Sequence, residues 1–289
     1  MKKRSTKEIK QQAKVALQGH YGIVILGLLA VYGANLIGSN LSSKLFAGNS
    51  PLDLILSEIF LLVVSLIVGI ISAGLGYMLL NISRGKEFKL ADLGYFFKNQ
   101  PDRVIIAGFV LAVIQVVTSI PFYYVSYTKS SLILSEEVSL EVQIQTLGTI
   151  LGVLAICTVL NFLISIPFAM TYFLMADDLE LGGIQALRES AGLMKGNILR
   201  YIWLNISFIP LLFLSVFTFY IALFWIMPYM EMSMVAFYRA LGGELDYRLP
   251  GTEGFGSFHN WTNDSGNGYD TENNDGYRND SEDDYNSEA

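Results

Sequence analysis

Glu231 is the residue whose position most clearly asks for chemistry. From Ile198 to Leu241 the chain is apolar except for Arg200, Glu231 and Arg239. Glu231 lies about 12 Å along a helix from Arg239. A carboxyl group inside an apolar span is costly and is a candidate functional residue by default. It could coordinate a cation or carry a proton. It could also pair with Arg200 or a nearby tyrosine and serve structure alone. Asn35, Gln115, Asn161 and Asn205 are amides in apolar windows. Their expected use is bonding between helices, worth about 1 kcal/mol each.

Other constellations are weaker. Asp177 and Asp178 resemble a metal-binding pair, but no carboxylate at a fixed spacing completes a site. They are expected at the N-terminal side of the next helix, where its dipole favours them. Cys157 has no partner for a disulfide, and His20 and His259 lie at opposite ends of the chain. No Cys/His set for zinc or an iron–sulfur cluster exists. The phosphate-binding, nucleophile-elbow and zinc-protease motifs are missing. No catalytic, cofactor-binding or metal-ligating residue is assigned, and no cofactor is expected.

The elements that hold these residues follow from composition. Of 289 residues, 52% are hydrophobic and 16% charged, with mean hydropathy +0.44. An ordinary soluble domain is roughly 25% charged. Five windows, 15–43, 59–83, 104–128, 142–176 and 201–230, carry no Asp, Glu, Lys or Arg. A bilayer-crossing helix needs about 20 mainly apolar residues. The class is all-α: a polytopic membrane protein of about six transmembrane helices. Four spans are expected near 22–42, 58–82, 103–125 and 148–174. As one helix, residues 198–241 would reach about 66 Å, twice the roughly 30 Å hydrocarbon core. A hairpin near 199–217 and 219–240 fits better, although its turn holds neither Gly nor Asn.

With these spans and a cytoplasmic N-terminus, 17 of the 19 Lys and Arg fall inside, and only Lys44 and Lys129 outside. This excess predicts that both termini are cytoplasmic. Three segments precede odd-numbered spans, and each reads as an amphipathic cytoplasmic helix. The first carries Ile9, Ala13, Ala16 and Leu17 on one face, after a Ser5–Glu8 capping box. The second groups Leu90, Leu93, Gly94 and Phe97, and the third groups Ile184, Leu187, Ala191 and Met194. Each ends in a polar break, at Gly19, Lys98-Asn99-Gln100 and Gly196, consistent with three copies of one unit. Lys7, Lys10 and Lys14 on the first helix are candidate contacts for anionic lipid. Pro121, Pro167, Pro210 and Pro228 can end or kink helices, though not at matching places in two halves. Gly148 and Gly152 form a GxxxG suited to close helix packing.

The chain divides into a helix at 1–21, a membrane domain at 22–243 and an acidic tail at 244–289. The body carries a net +3 and the tail a net −10. The tail is rich in Asn, Asp, Gly and Ser and reads as disordered, a spacer or a site for an unknown protein partner. Nucleic acid is not expected.

The segment Ala186-Leu187-Arg188-Glu189-Ser190, running to Leu193-Met194-Lys195-Gly196-Asn197, resembles the signature of an uncharacterised bacterial integral membrane protein family, domain-of-unknown-function family 975. The resemblance extends to Lys7-Glu8-Ile9-Lys10, Leu17-Gln18-Gly19-His20-Tyr21, Ser83-Arg84-Gly85, Pro228-Tyr229 and Ala236-Phe237-Tyr238, covering about residues 5–241. It implies a multi-pass protein of the bacterial plasma membrane and carries over no activity. Its charged positions Arg188, Glu189 and Lys195 join Glu231 as candidate functional residues. The expected function is non-enzymatic: organising the membrane, possible anionic lipids included, or binding a partner. The alternatives are a small-solute transporter or channel with Glu231 in its path, and a lipid-acting enzyme.

Overall fold

The computed structural model describes residues 4–48, 50–133 and 138–246. Within them lie eleven α-helices and no strand. The acidic tail expected from the sequence lies, beyond Asp246, outside the described residues.

Helix α1 (Thr6–Leu17) starts at the Ser5–Glu8 capping box, with both reciprocal bonds formed. It buries Ile9, Ala13 and Leu17. Gly19, at φ +79°, turns the chain into α2 (Tyr21–Leu45). Helix α3 (Pro51–Arg84) runs 34 residues, about 51 Å. Its fully buried residues are confined to 68–82, while its first half is exposed or half-buried.

The three amphipathic segments before the odd-numbered spans are together called the collar, and the second of them departs from one regular helix. It is a 3₁₀ turn at Leu90–Gly94 followed by the single-turn α4 (Tyr95–Lys98). Leu93 and Phe96 are buried there, while Leu90 and Phe97 are exposed. Gly74 lets this turn approach: a Cβ on it would stand 2.2 Å from the Leu93 carbonyl oxygen.

Helices α5 (Pro101–Ile133) and α6 (Leu140–Ser165) pack on each other. The fourth span is then broken by a 3₁₀ turn at Ile166–Phe168, with Pro167 in its first turn, before α7 (Thr171–Asp177). Helix α8 (Gly183–Met194) packs on α5 and α7. It buries Gly183, Ala186, Leu187, Ser190 and Met194 but exposes Ile184, so its inward face is turned from the expected one.

The fifth span is also broken, into α9 (Ile198–Ile206) and α10 (Ile209–Phe217), with Pro210 starting the second piece. The expected hairpin follows, leading to α11 (Leu223–Leu241). Its turn uses left-handed backbone at Phe219 (φ +49°) and Tyr220 (φ +64°). The Tyr220 N–H bonds the Ser215 carbonyl and the Phe219 N–H that of Val216, the Schellman pattern normally built on Gly.

Five stretches are long and apolar enough to cross a membrane: Tyr21–Leu45, Pro51–Arg84, Pro101–Lys129, Leu140–Asp177 and Ile198–Phe217. Helix α11 is a sixth, separate helix, carrying Glu231 and Arg239 and packing against α1, α2 and α3. The densest packing is at the collar end, where Leu17, Met78, Leu79, Phe96, Phe237 and Tyr238 are almost fully buried. Along the spans, large apolar side chains such as Leu36, Ile67, Val117 and Ile156 are exposed. Lipid is the solvent that tolerates such a surface.

Candidate functional site

Five further polar residues share a cleft with Glu231, three of them on the two broken spans. A cleft of about 360 Å³ is lined by Glu231 of α11, Tyr201 and Asn205 of α9, and Tyr172 of α7, with Tyr32 of α2 and Ser72 of α3 opposite. Ala169 and Met170, at the break before α7, also line it. The α9–α10 break follows Asn205 by two residues. Broken helices place irregular backbone beside a cavity, the one setting at membrane depth where it is tolerated.

The cleft does not stand alone. A second, of about 340 Å³, shares Ala169, Tyr172 and Tyr201 with it and adds Ser65, Gln115 and Ser165. A third, of about 260 Å³, shares Ser65, Ala112 and Gln115 with the second and adds Asn35, Glu58 and Tyr123. Tyr123 and Glu58 line it together. Glu58 was not singled out in the sequence, where it sits only at the edge of an apolar window. Of the four amides, Asn161 bonds between helices, donating to Thr118 Oγ1 at 2.9 Å. Asn35, Gln115 and Asn205 line the clefts instead.

Arg200 does not meet Glu231. Its guanidinium bonds Asn197 Oδ1 and the Arg4 carbonyl, and lies 5.6 Å from the Phe237 ring. Glu231 makes no ion pair among the described residues, and no Lys or Arg lines its cleft.

Toward the collar a charged cluster follows. Arg84 bonds Asp177 and Glu244; Arg239 bonds Glu244, the Ser83 carbonyl and Ser83 Oγ; the Tyr238 hydroxyl donates to Asp177. Burial alone would raise the Glu244 carboxyl, but Arg84 and Arg239 together hold it below the ordinary carboxylate range. Asp177 therefore ends α7 and pairs with Arg84, and it does not serve the dipole of α8, which begins six residues later. Asp178 caps locally, accepting from the Glu180 N–H. In the sequence Arg84 and Arg239 read only as topology signals. Nothing there paired them with carboxylates 93 and five residues away.

The remaining candidates lie on the collar. Arg188 and Lys195 are exposed on α8, and Glu189 is half-buried, accepting from Gln185 Nε2. These residues do not reach the cleft. The buried Ser190 between them holds the fold: it donates to the Pro167 carbonyl at 2.8 Å and accepts from the Met170 N–H. Lys7 and Lys14 are exposed. Lys10 turns inward, donating to the Ser207 carbonyl at 2.9 Å with its ammonium 3.8 Å from the Phe208 ring centroid. Burial lowers its pKa. Among the described residues the GxxxG pair packs against nothing, since a Cβ on Gly148 or Gly152 would meet no atom within 4 Å. Among the described residues no group of three His, Cys, Asp or Glu could hold a metal ion.

Five membrane-length apolar helices with lipid-suited surfaces define a multi-pass helical membrane protein. The chain belongs to the family described as protein of unknown function (DUF975), whose family model matches residues 1–244. No curated protein and no solved structure matches it.

Proposed function

We propose that this protein provides a passage for a small solute across the bacterial plasma membrane, with both termini on the cytoplasmic side. The reading rests on the run of three clefts with shared lining residues between Glu58 and Glu231. Along α3, the step from Glu58 to Ser72 is about 21 Å, much of the roughly 30 Å hydrocarbon core. Polar groups at that depth are costly unless paired or used. Here Tyr, Ser, Asn, Gln and Glu side chains from several helices line shared space. Each span taken singly holds few polar groups; their gathering into shared clefts favours a route. Past Ser72 on α3, Met78 and Leu79 are buried and Arg84 is paired with Asp177 and Glu244.

Orientation is supported by the uneven placement of Lys and Arg. In a Cys157→Ser background, a cysteine at Ser43 is expected to label from outside intact cells and one at Lys98 only after permeabilisation. The passage itself is tested by water access. Cysteines at Ser65 and Ser72 are expected to react with a charged thiol reagent, whereas one at Ile67, exposed on the same helix but lining none of these three clefts, stays unreacted. Equal inertness of all three would sink the passage.

A second role for the collar is favoured by the exposure of Lys7 and Lys14. On the cytoplasmic side they would meet an anionic leaflet, at up to about 1 kcal/mol per basic residue.

A further inference from the structure

We infer that the cleft beside Glu231 binds a small organic ammonium ion, held by the Glu231 carboxylate and by the rings of Tyr32, Tyr172 and Tyr201. This deepens the passage reading and depends on it for the route by which the ion arrives.

Charge decides the sign of the ligand. One carboxylate lines the cleft, and no Lys or Arg does. An anion would be repelled. With a neutral ligand nothing would offset the cost of a lone charge in a region of low dielectric, and the carboxyl would take up a proton instead. A cation supplies the counter-charge.

The walls decide which cation. A bare metal ion asks for about six close oxygen ligands. The oxygens here are spread over five helices, and between them stand Phe173, Met170, Met230 and Met234. Aromatic faces attract ammonium groups through their quadrupole. Methionine side chains adapt to apolar bodies of different shape. Together they suit a cation with a charged head and an apolar body. The volume, about 360 Å³, sits at the small end of ligand sites, which run from roughly 300 to 1,000 Å³. Asn205 donates its amide N–H to the Tyr201 carbonyl at 2.9 Å, which fixes the amide so that its oxygen remains as an acceptor.

The test uses the full chain in mild detergent, with choline as probe and 3,3-dimethylbutan-1-ol as its neutral isostere, binding read by calorimetry. Choline is expected to saturate, and the isostere to bind at least about tenfold more weakly, because it lacks the charge that the carboxylate and the tyrosine faces attract. Glu231→Gln is expected to weaken choline by a similar factor. Tyr32→Phe keeps the ring and most of the affinity, whereas Tyr32→Leu loses several-fold. Sodium at the same concentration is expected not to compete. Equal binding of choline and the isostere, unchanged affinity in a folded Glu231→Gln, or displacement by sodium overturns the inference. If Glu231→Gln fails to fold, the isostere and Tyr32 comparisons still decide. The same proteins in liposomes separate the two readings. Reactive cysteines at Ser65 and Ser72 with flux of solute, but no saturable choline binding, overturn the ammonium site and leave the passage. Saturable, Glu231-dependent binding with neither flux nor cysteine reaction leaves the site and overturns the passage.

Discussion

Arg84 closes on Asp177 with both terminal nitrogens, Nη1 to Oδ1 at 2.6 Å and Nη2 to Oδ2 at 3.1 Å, joining residues 93 apart in sequence. The fork ties the end of α3 to the end of α7. Arg84 also reaches Glu244, which Arg239 holds from its other side. Two positive and two negative groups make the cluster neutral, and its side chains are no more than 17% exposed. Removing one charge leaves another buried without its partner. Arg84→Met is therefore expected to cost about 3–5 kcal/mol, read as a fall in Tm of the full chain in detergent. Adding Asp177→Asn to Arg84→Met is expected to recover part of that loss. A Tm for Arg84→Met equal to the parent's would show that the cluster stabilises nothing.

The same cluster predicts a pH dependence. Glu244 is held below its ordinary value of 4.5 in the folded state. The unfolded chain thus binds this proton more readily, so folding is favoured while the carboxyl is ionised. Its contribution is complete above that ordinary value and is lost as pH falls through the lower folded value. Tm measured from neutral to acid pH is expected to fall more steeply in the parent than in Glu244→Gln. Parallel profiles would remove Glu244 from the account.

Gly183 and Gly148 are expected to respond in opposite ways to the same added methyl. A Cβ on Gly183 would stand 2.2 Å from the Arg103 carbonyl oxygen and 3.0 Å from the Ala107 nitrogen. Backbone on both sides cannot yield cheaply, so Gly183→Ala is expected to destabilise by about 1–3 kcal/mol. Around Gly148 nothing lies within 4 Å. There Gly148→Ala is expected to gain up to about 1 kcal/mol of helix propensity. A loss of Tm at Gly148→Ala that grows on dilution would instead assign the GxxxG to contact between copies.

The turn between α10 and α11 is built from the wrong residues for its backbone. Phe219 and Tyr220 both adopt positive φ, which costs a non-glycine residue roughly 1–2 kcal/mol. Phe219 is 88% exposed, so its ring is not repaid by packing within the chain. Phe219→Gly is expected to raise Tm by relieving that strain. Tyr220→Pro is expected to lower it, because the proline lacks the N–H that bonds the Ser215 carbonyl at 2.8 Å. A fall in Tm for Phe219→Gly would show that the ring anchors the turn in lipid.

Much of this fold is legible in the residues themselves. Charge-free windows mark the long spans, the Ser5–Glu8 box marks the start of α1, and Gly19 and Gly196 mark its break and that of α8. The third such break falls at the polar Lys98-Asn99-Gln100 stretch, where Gln100, not a glycine, takes the positive φ of +50°. The inward face of α8 is not legible in its apolar residues, because Ser190 reads as polar yet is buried by bonding backbone beside Pro167. The candidate site was legible only in part. Glu231 stands out as a lone carboxylate. Tyr32, Tyr172 and Tyr201 look like ordinary span residues until two broken helices bring them to one cleft. Arg84 and Asp177 are invisible as a pair because no local period links residues so far apart.

The three lysines of α1, alike in sequence, are expected to divide by function. Lys10 donates to the Ser207 carbonyl, which is left free where α9 breaks before Pro210, and its ammonium lies over Phe208. Lys10→Gln therefore removes a charge-assisted bond, worth roughly 1.5–3 kcal/mol, and is expected to lower Tm. Lys7 and Lys14 are exposed and make no such bond. Their replacement is expected to leave Tm unchanged but to reduce retention of anionic lipid, since each contributes up to about 1 kcal/mol near a negative surface. The loss should shrink as salt is raised, because the attraction is screened over roughly 10 Å at 0.1 M. Lys7→Gln with Lys14→Gln, compared with Lys10→Gln in both assays, separates the two roles. If the double variant keeps its lipid at low salt, the exposed lysines set topology only. If Lys10→Gln keeps its Tm, the bond from α1 to the broken span does not hold the collar in place.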